Sequence, residues 1–129
     1  GIVIGDRYDN CTYGEAVLAV GLLDYGYGNC PSGDSSVAFG VRNTASGLHS
    51  TVTGGFLNYA SGFASSVSGG YDNVASGQSA TVSGGSTNTA SVKDATVSGG
   101  SNNEASGLSS AVSGGSMNTA SGKDATVSG

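Results

Sequence analysis

The chain has 129 residues, of which only 10% are charged, and its net charge of −5 is concentrated in residues 1–35, where Asp6, Asp9, Glu15, Asp24 and Asp34 face Arg7 alone. There is no basic stripe for a nucleic-acid backbone and no apolar run long enough to insert into a membrane. The first residues lack the charged and apolar regions of a secretory leader, so a mature or excised segment is expected.

A composition with 24 Gly and 1 Pro could describe a flexible linker. The register excludes that reading. From Ser35 onward one frame of fifteen residues recurs, S-T-V-S-G-G-x-x-N-x-A-S-G-x-x. A fixed period this short marks a solenoid, one coil per repeat, stacked along an axis. The chain then divides into irregular N-terminal coils at 1–34 and a regular solenoid at 35–129, within one continuous domain.

In the N-terminal part, Gly1-Ile2-Val3-Ile4-Gly5 and Leu18-Ala19-Val20-Gly21 both read like Ser36-Val37-Ala38-Phe39-Gly40. Asn10-Cys11-Thr12-Tyr13-Gly14 and Asn29-Cys30-Pro31-Ser32-Gly33 both fit Asn43-Thr44-Ala45-Ser46-Gly47. Two further coils are therefore expected here, with insertions at 8–9 and around 22–28. Cys11 and Cys30 occupy one position of adjacent coils. Stacked neighbours lie about 5 Å apart, inside the Cα window of about 4.4–6.8 Å for a disulfide. A Cys11–Cys30 bond is expected, and with it an oxidising, extracellular setting. Asn10-Cys11-Thr12 also matches the N-glycosylation sequon, which makes Asn10 a candidate acceptor.

In the regular part, valine returns at Val37, Val52, Val67, Val82, Val97, Val112 and Val127. Alternation about Val52 predicts a short strand with valine inward and the hydroxyls of Thr51 and Thr53 outward. Asn58-Tyr59-Ala60-Ser61-Gly62 predicts a second strand with Ala60 inward. Gly54, Gly55 and Gly62 mark corners that need positive φ or close backbone approach. Asn43, Asn58, Asn73, Asn88, Asn103 and Asn118 share the parity of the inward alanines, which predicts a structural hydrogen-bonded ladder along the axis. Val92 stands where the other regular coils have glycine, so it should sit at negative φ or in a rebuilt corner. The fold expected is all-β, a single-stack parallel β-solenoid of about eight two-strand coils.

The segment Ser36-Val37-Ala38-Phe39-Gly40-Val41-Arg42-Asn43-Thr44-Ala45-Ser46-Gly47 resembles the YadA-like head repeat of trimeric autotransporter adhesins. The resemblance is close over residues 36–47 and 1–5 and extends over the remainder as a pattern. It implies a left-handed β-roll, usually in threes, on a cell surface and used for adhesion. The period here is fifteen rather than the family's fourteen, and Phe39 is replaced by Gly54, Gly69, Gly84, Gly99 and Gly114 in later coils.

Neither a cofactor nor a metal site is expected, because no acidic residue recurs across enough coils. His49 reads as a solvated corner residue, and Lys93/Asp94 and Lys123/Asp124 as exposed pairs of little energetic weight. No serine has a base and an orienting partner, so no enzyme is expected. A coil burying about one valine and one alanine should be marginal alone, and self-association is expected, laterally or through the terminal strands that carry Val3 and Val127. The favoured function is an extracellular structural or adhesive element forming a fibre or trimeric rod, with a host surface or glycans as further partners. Two alternatives are an ice-binding face, since the outward Thr/Ser pairs resemble the T-x-T face of insect antifreeze solenoids, and a surface that displays or binds glycans. In the last, Phe56, Tyr59, Phe63 and Tyr71 would stack on sugars.

Overall fold

The computed structural model describes residues 1–129 as one stack of parallel coils. Each coil supplies one strand to a nine-stranded sheet, and from Thr44 onward a second strand to a six-stranded sheet. The first elements are β1 (Ile2–Gly5), β2 (Leu18–Gly21), β3 (Val37–Phe39) and β4 (Thr44–Ala45). Most later strands are two-residue Thr-Val or Thr-Ala pairs. Val52 pairs in register with Val67, Val67 with Val82, and so on to Val127. Ala45 likewise begins an alanine column that runs to Ala120.

A third line of contact was not anticipated. Val41, Phe56, Tyr71, Ser86, Ser101 and Ser116 form single parallel bridges from coil to coil. Each coil therefore has three hydrogen-bonded sides. The glycine pair makes this possible. Gly55 turns the chain at φ +81°, and a Cβ there would collide with the Gly70 carbonyl oxygen. Only glycine satisfies both demands.

The core is a cylinder of small side chains. The valine and alanine columns are fully buried through the interior coils. A further inward column precedes each valine strand: Ser36, Ser50, Ser65, Ala80, Ala95 and Ser110 are all buried. The hydroxyls of Ser36, Ser50 and Ser65 have no hydrogen-bond partner. That of Ser110 accepts the Gly107 N–H at 3.1 Å.

One expected register is corrected. Val37 pairs with Thr51, not with Val52; the inward residue of β3 is Ala38, which pairs with Val52. The stretch from Ala38 to Gly40 is one residue shorter than that from Val52 to Gly55, so the strand must slip by one to keep the corner glycines stacked. Val37 and Phe39 are thus outward and half-buried, and the glycines of later coils do not thin the core at Phe39's position. Val3 and Val127 fill inward positions of the two outermost strands of the nine-stranded sheet.

Two corners per coil carry non-glycine residues in the left-handed region. One column runs through Ser35, His49, Ala64, Ser79, Asp94, Ser109 and Asp124, and the other through Arg42, Leu57, Asp72, Thr87, Asn102 and Met117, all with φ between +52° and +60°. By contrast Gly47, Gly62, Gly77 and Gly107 have ordinary φ and are glycine because of close approach; a Cβ at Gly62 would collide with the Gly77 oxygen. Val92 sits at negative φ in this column. Its N–H lacks the bond to the next coil's alanine carbonyl that Gly47, Gly62, Gly77 and Gly107 all make.

Candidate functional site: ladder, outer faces and N-terminal cleft

The asparagines are the inner scaffold. The backbone N–H of each donates to the side-chain oxygen of the asparagine one coil earlier, at 2.9–3.0 Å from Asn43 through Asn118. The Nδ2 of Asn73 donates to the Gly69 oxygen at 3.0 Å and to the Gly85 oxygen at 3.0 Å. One side chain thereby holds the glycine corners of two coils. The first rung is Asn29, whose Oδ1 accepts the Asn43 N–H and whose Nδ2 donates to Val20 and Gly40 oxygens. Asn10, which occupies the equivalent place in the sequence frame, is exposed.

Cys11 and Cys30 form a disulfide with a Cα–Cα distance of 5.5 Å. Cys30 makes a parallel bridge to Thr44, so the bonded cysteines extend the outward column of Thr44, Tyr59 and Val74.

The outer face of the nine-stranded sheet changes character along the axis. Over β1 to β3 it is apolar: Ile2, Leu18 and Val37 form one column, Ile4, Val20 and Phe39 the other. Ile2 and Ile4 are 62% and 57% exposed. Beyond Thr51 the same face carries hydroxyls. Thr53, Ser68, Ser83, Ser98, Ser113 and Ser128 are exposed, and the Thr51, Ser66, Thr81 and Thr96 column beside them is half-buried. Ala111 interrupts the latter column.

The four aromatics that the glycan alternative would stack on sugars do not form one platform. Phe56 and Tyr71 stack on each other, centroids 5.9 Å apart and planes 12° off parallel. Phe63 takes the edge of His49 at 5.7 Å. Tyr59 instead belongs to an open cleft of about 310 Å³ lined by Tyr8, Tyr27, Gly28, Arg42, Thr44, Leu57 and Tyr59. The insertion around 22–28 builds one wall of it: Asp24 and Tyr27 pair antiparallel around the turn Tyr25-Gly26. The Arg42 guanidinium lies 4.8 Å from the Tyr27 ring and 5.6 Å from Phe56. Its Nε meets the Asp24 carboxylate at 3.1 Å, the one ion pair of the chain. Neither Arg42 nor Tyr8 stood out in the sequence: the period stacks Arg42 under Leu57 and Thr44 under Tyr59, but Tyr8 and Tyr27 come from insertions that lie outside that frame.

Comparison with known proteins adds one finding to this geometry. The family model described as ubiquitous surface protein adhesin repeat matches residues 50–62. The matched stretch contains Val52, both corner glycines, Asn58 and Ala60, which is the frame of a single coil. No curated protein matches the chain. A β-solenoid whose coil resembles an adhesin repeat, carrying a disulfide, suggests a surface or secreted element of adhesive or structural type.

Proposed function

We propose that the chain is an extracellular structural and adhesive solenoid that associates with copies of itself, as a fibre or a trimeric rod. The observation that carries this reading is the outer face of β1 to β3. Six aliphatic or aromatic side chains lie in two in-register columns, and Ile2 and Ile4 are more than half exposed. Contiguous apolar surface of this kind marks a contact site on a soluble protein, and a second copy offers the same patch for a self-complementary or cyclic interface. The adhesin-repeat match at residues 50–62 supports the surface setting.

Sedimentation equilibrium and negative-stain imaging test the assembly. Rods or filaments are expected for the wild-type chain, and a monomer for the pair Ile2→Lys and Ile4→Lys. A monodisperse monomer of the wild-type chain at high concentration overturns the proposal. A second reading, ice binding, draws on the exposed hydroxyl column from Thr53 to Ser128. Thermal hysteresis at sub-millimolar protein would favour that reading; its absence would remove it.

A further inference from the structure

We propose that the cleft between the Asp24–Tyr27 hairpin and the coil surface is a binding site for a neutral carbohydrate. The inference rests on the adhesive reading and gives it a ligand chemistry.

The cleft is built rather than incidental. Its hairpin turns through Tyr25 at φ +48° and Gly26 at φ +80°. Two positive-φ residues are the geometry of the tightest hairpin loop, and the N–H groups of Asp24 and Tyr27 close it at 2.8 and 3.0 Å. Gly28, at the base, is buried; a Cβ there would fall 2.7 Å from the Leu23 side chain and 3.0 Å from the Tyr8 Cβ. Glycine is thus what lets Tyr8 approach. Tyr8 is fixed from behind: its N–H donates to the Tyr13 hydroxyl at 3.0 Å, and its carbonyl accepts the Cys11 N–H at 3.1 Å. The Cys11–Cys30 bond then ties this segment to the stack.

The lining chemistry selects the ligand. Tyr8, Tyr27 and Tyr59 offer aromatic surface together with hydroxyls, the combination that suits a surface apolar on one side and wet on the other. A pyranose presents such a surface, with C–H groups on its faces and hydroxyls at its rim. Arg42 already has a counter-charge in the Asp24 carboxylate, 3.1 Å from its Nε, and its Nη2 donates to the Asp24 backbone oxygen at 3.0 Å. Its second terminal nitrogen donates to no protein acceptor and is free to meet a hydroxyl. Among the lining residues an acidic chain finds no cation but the paired Arg42, and Asp6, whose carboxylate accepts the Leu23 N–H at 3.4 Å, adds negative charge beside the hairpin. At about 310 Å³ the cleft sits at the small end of ligand sites and holds about one or two sugar units.

The test is binding of the disulfide-intact chain to an array of neutral and acidic oligosaccharides and proline-rich peptides, with titration of the best neutral ligand. Neutral sugars should be retained, and Tyr27→Ala and Tyr59→Thr should each weaken binding by about tenfold. Thr44, Thr89 and Thr119 fill the column of Tyr59, so Tyr59→Thr suits the fold. Phe63→Gln, outside the cleft, should leave binding unchanged. Retention of acidic sugars alone, of proline-rich peptides alone or of nothing overturns the proposal, as does equal loss in Phe63→Gln. A cell-adhesion assay on coated beads separates the two readings. Undiminished adhesion of the Tyr27→Ala, Tyr59→Thr double variant defeats the cleft alone. Array binding by a chain that adheres to no surface defeats the adhesive reading alone.

Discussion

Asn88 stands on Asn73: the N–H of Asn88 donates to the Asn73 side-chain oxygen at 3.0 Å, and both residues are fully buried. Because the Asn73 amide also serves Gly69 and Gly85, this side chain satisfies three backbone groups, of which the Asn88 N–H is buried and the two glycine oxygens lie at the surface-facing corner. Asn73→Ala should therefore cost about 1–3 kcal/mol, the penalty of stranding the one buried N–H of Asn88. Urea unfolding followed by circular dichroism measures it. A loss below about 1 kcal/mol would mean the ladder is not a main support of the stack.

The buried serines give the opposite prediction. Ser50 and Ser65 hold unpartnered hydroxyls in a column where Ala80 and Ala95 already fit. Ser50→Ala and Ser65→Ala should be neutral or stabilising by about 1 kcal/mol each, and Ala80→Ser should destabilise by a similar amount. The same unfolding curves decide it, and destabilisation by Ser50→Ala would point to a partner for that hydroxyl.

Thr87 is a β-branched residue at φ +56°, in a column where Asn102 also sits. Asparagine tolerates that conformation and threonine does not. Thr87→Asn should raise stability by about 0.5–1 kcal/mol, seen as a higher urea midpoint at unchanged slope. Gly85→Ala should do the reverse, costing about 2 kcal/mol or more, because Gly85 is at φ +88° and a Cβ at that position would collide with the Gly100 oxygen.

Reduction of Cys11–Cys30 should loosen the N-terminal coils first. The bond joins residues 19 apart in sequence, a loop for which chain entropy gives about 3 kcal/mol. Hydrogen exchange should accelerate in residues 1–33 while the coils beyond Thr51 stay protected. Uniform acceleration along the chain would show that the stack opens as one unit.

Much of this architecture is legible in the sequence because repetition amplifies it. Val52, Asn58 and Ala60 recur in fixed places, so strand, corner and ladder are each read several times over. Equivalent frames likewise bring Cys11 beside Cys30. What stays hidden has physical reasons. The third inward column mixes serine and alanine, small residues that suit either a core or a surface. The left-handed corners are filled by His49, Leu57, Thr87 and Asp94, which share a backbone conformation and no chemistry. Val37 misleads because a one-residue shortening inside β3 preserves its distance from Asn43 while moving it to the other face. The cleft needs an insertion whose path no periodicity dictates.

The in-register pairing of Val52, Val67 and Val82 has a consequence for inheritance. Every regular coil ends where the next begins, in the same backbone geometry, so removing residues 66–80 would bring Val82 under Val52 and Asn88 under Asn58 with each bond type retained. A gene encoding such coils can gain or lose whole fifteen-residue units, because equivalent coils share one backbone path, and still yield a folded product. The reach of the molecule can thus vary among descendants without new sequence being invented. The Asp24–Tyr27 hairpin, which has no second copy to recombine with, would be carried along unchanged.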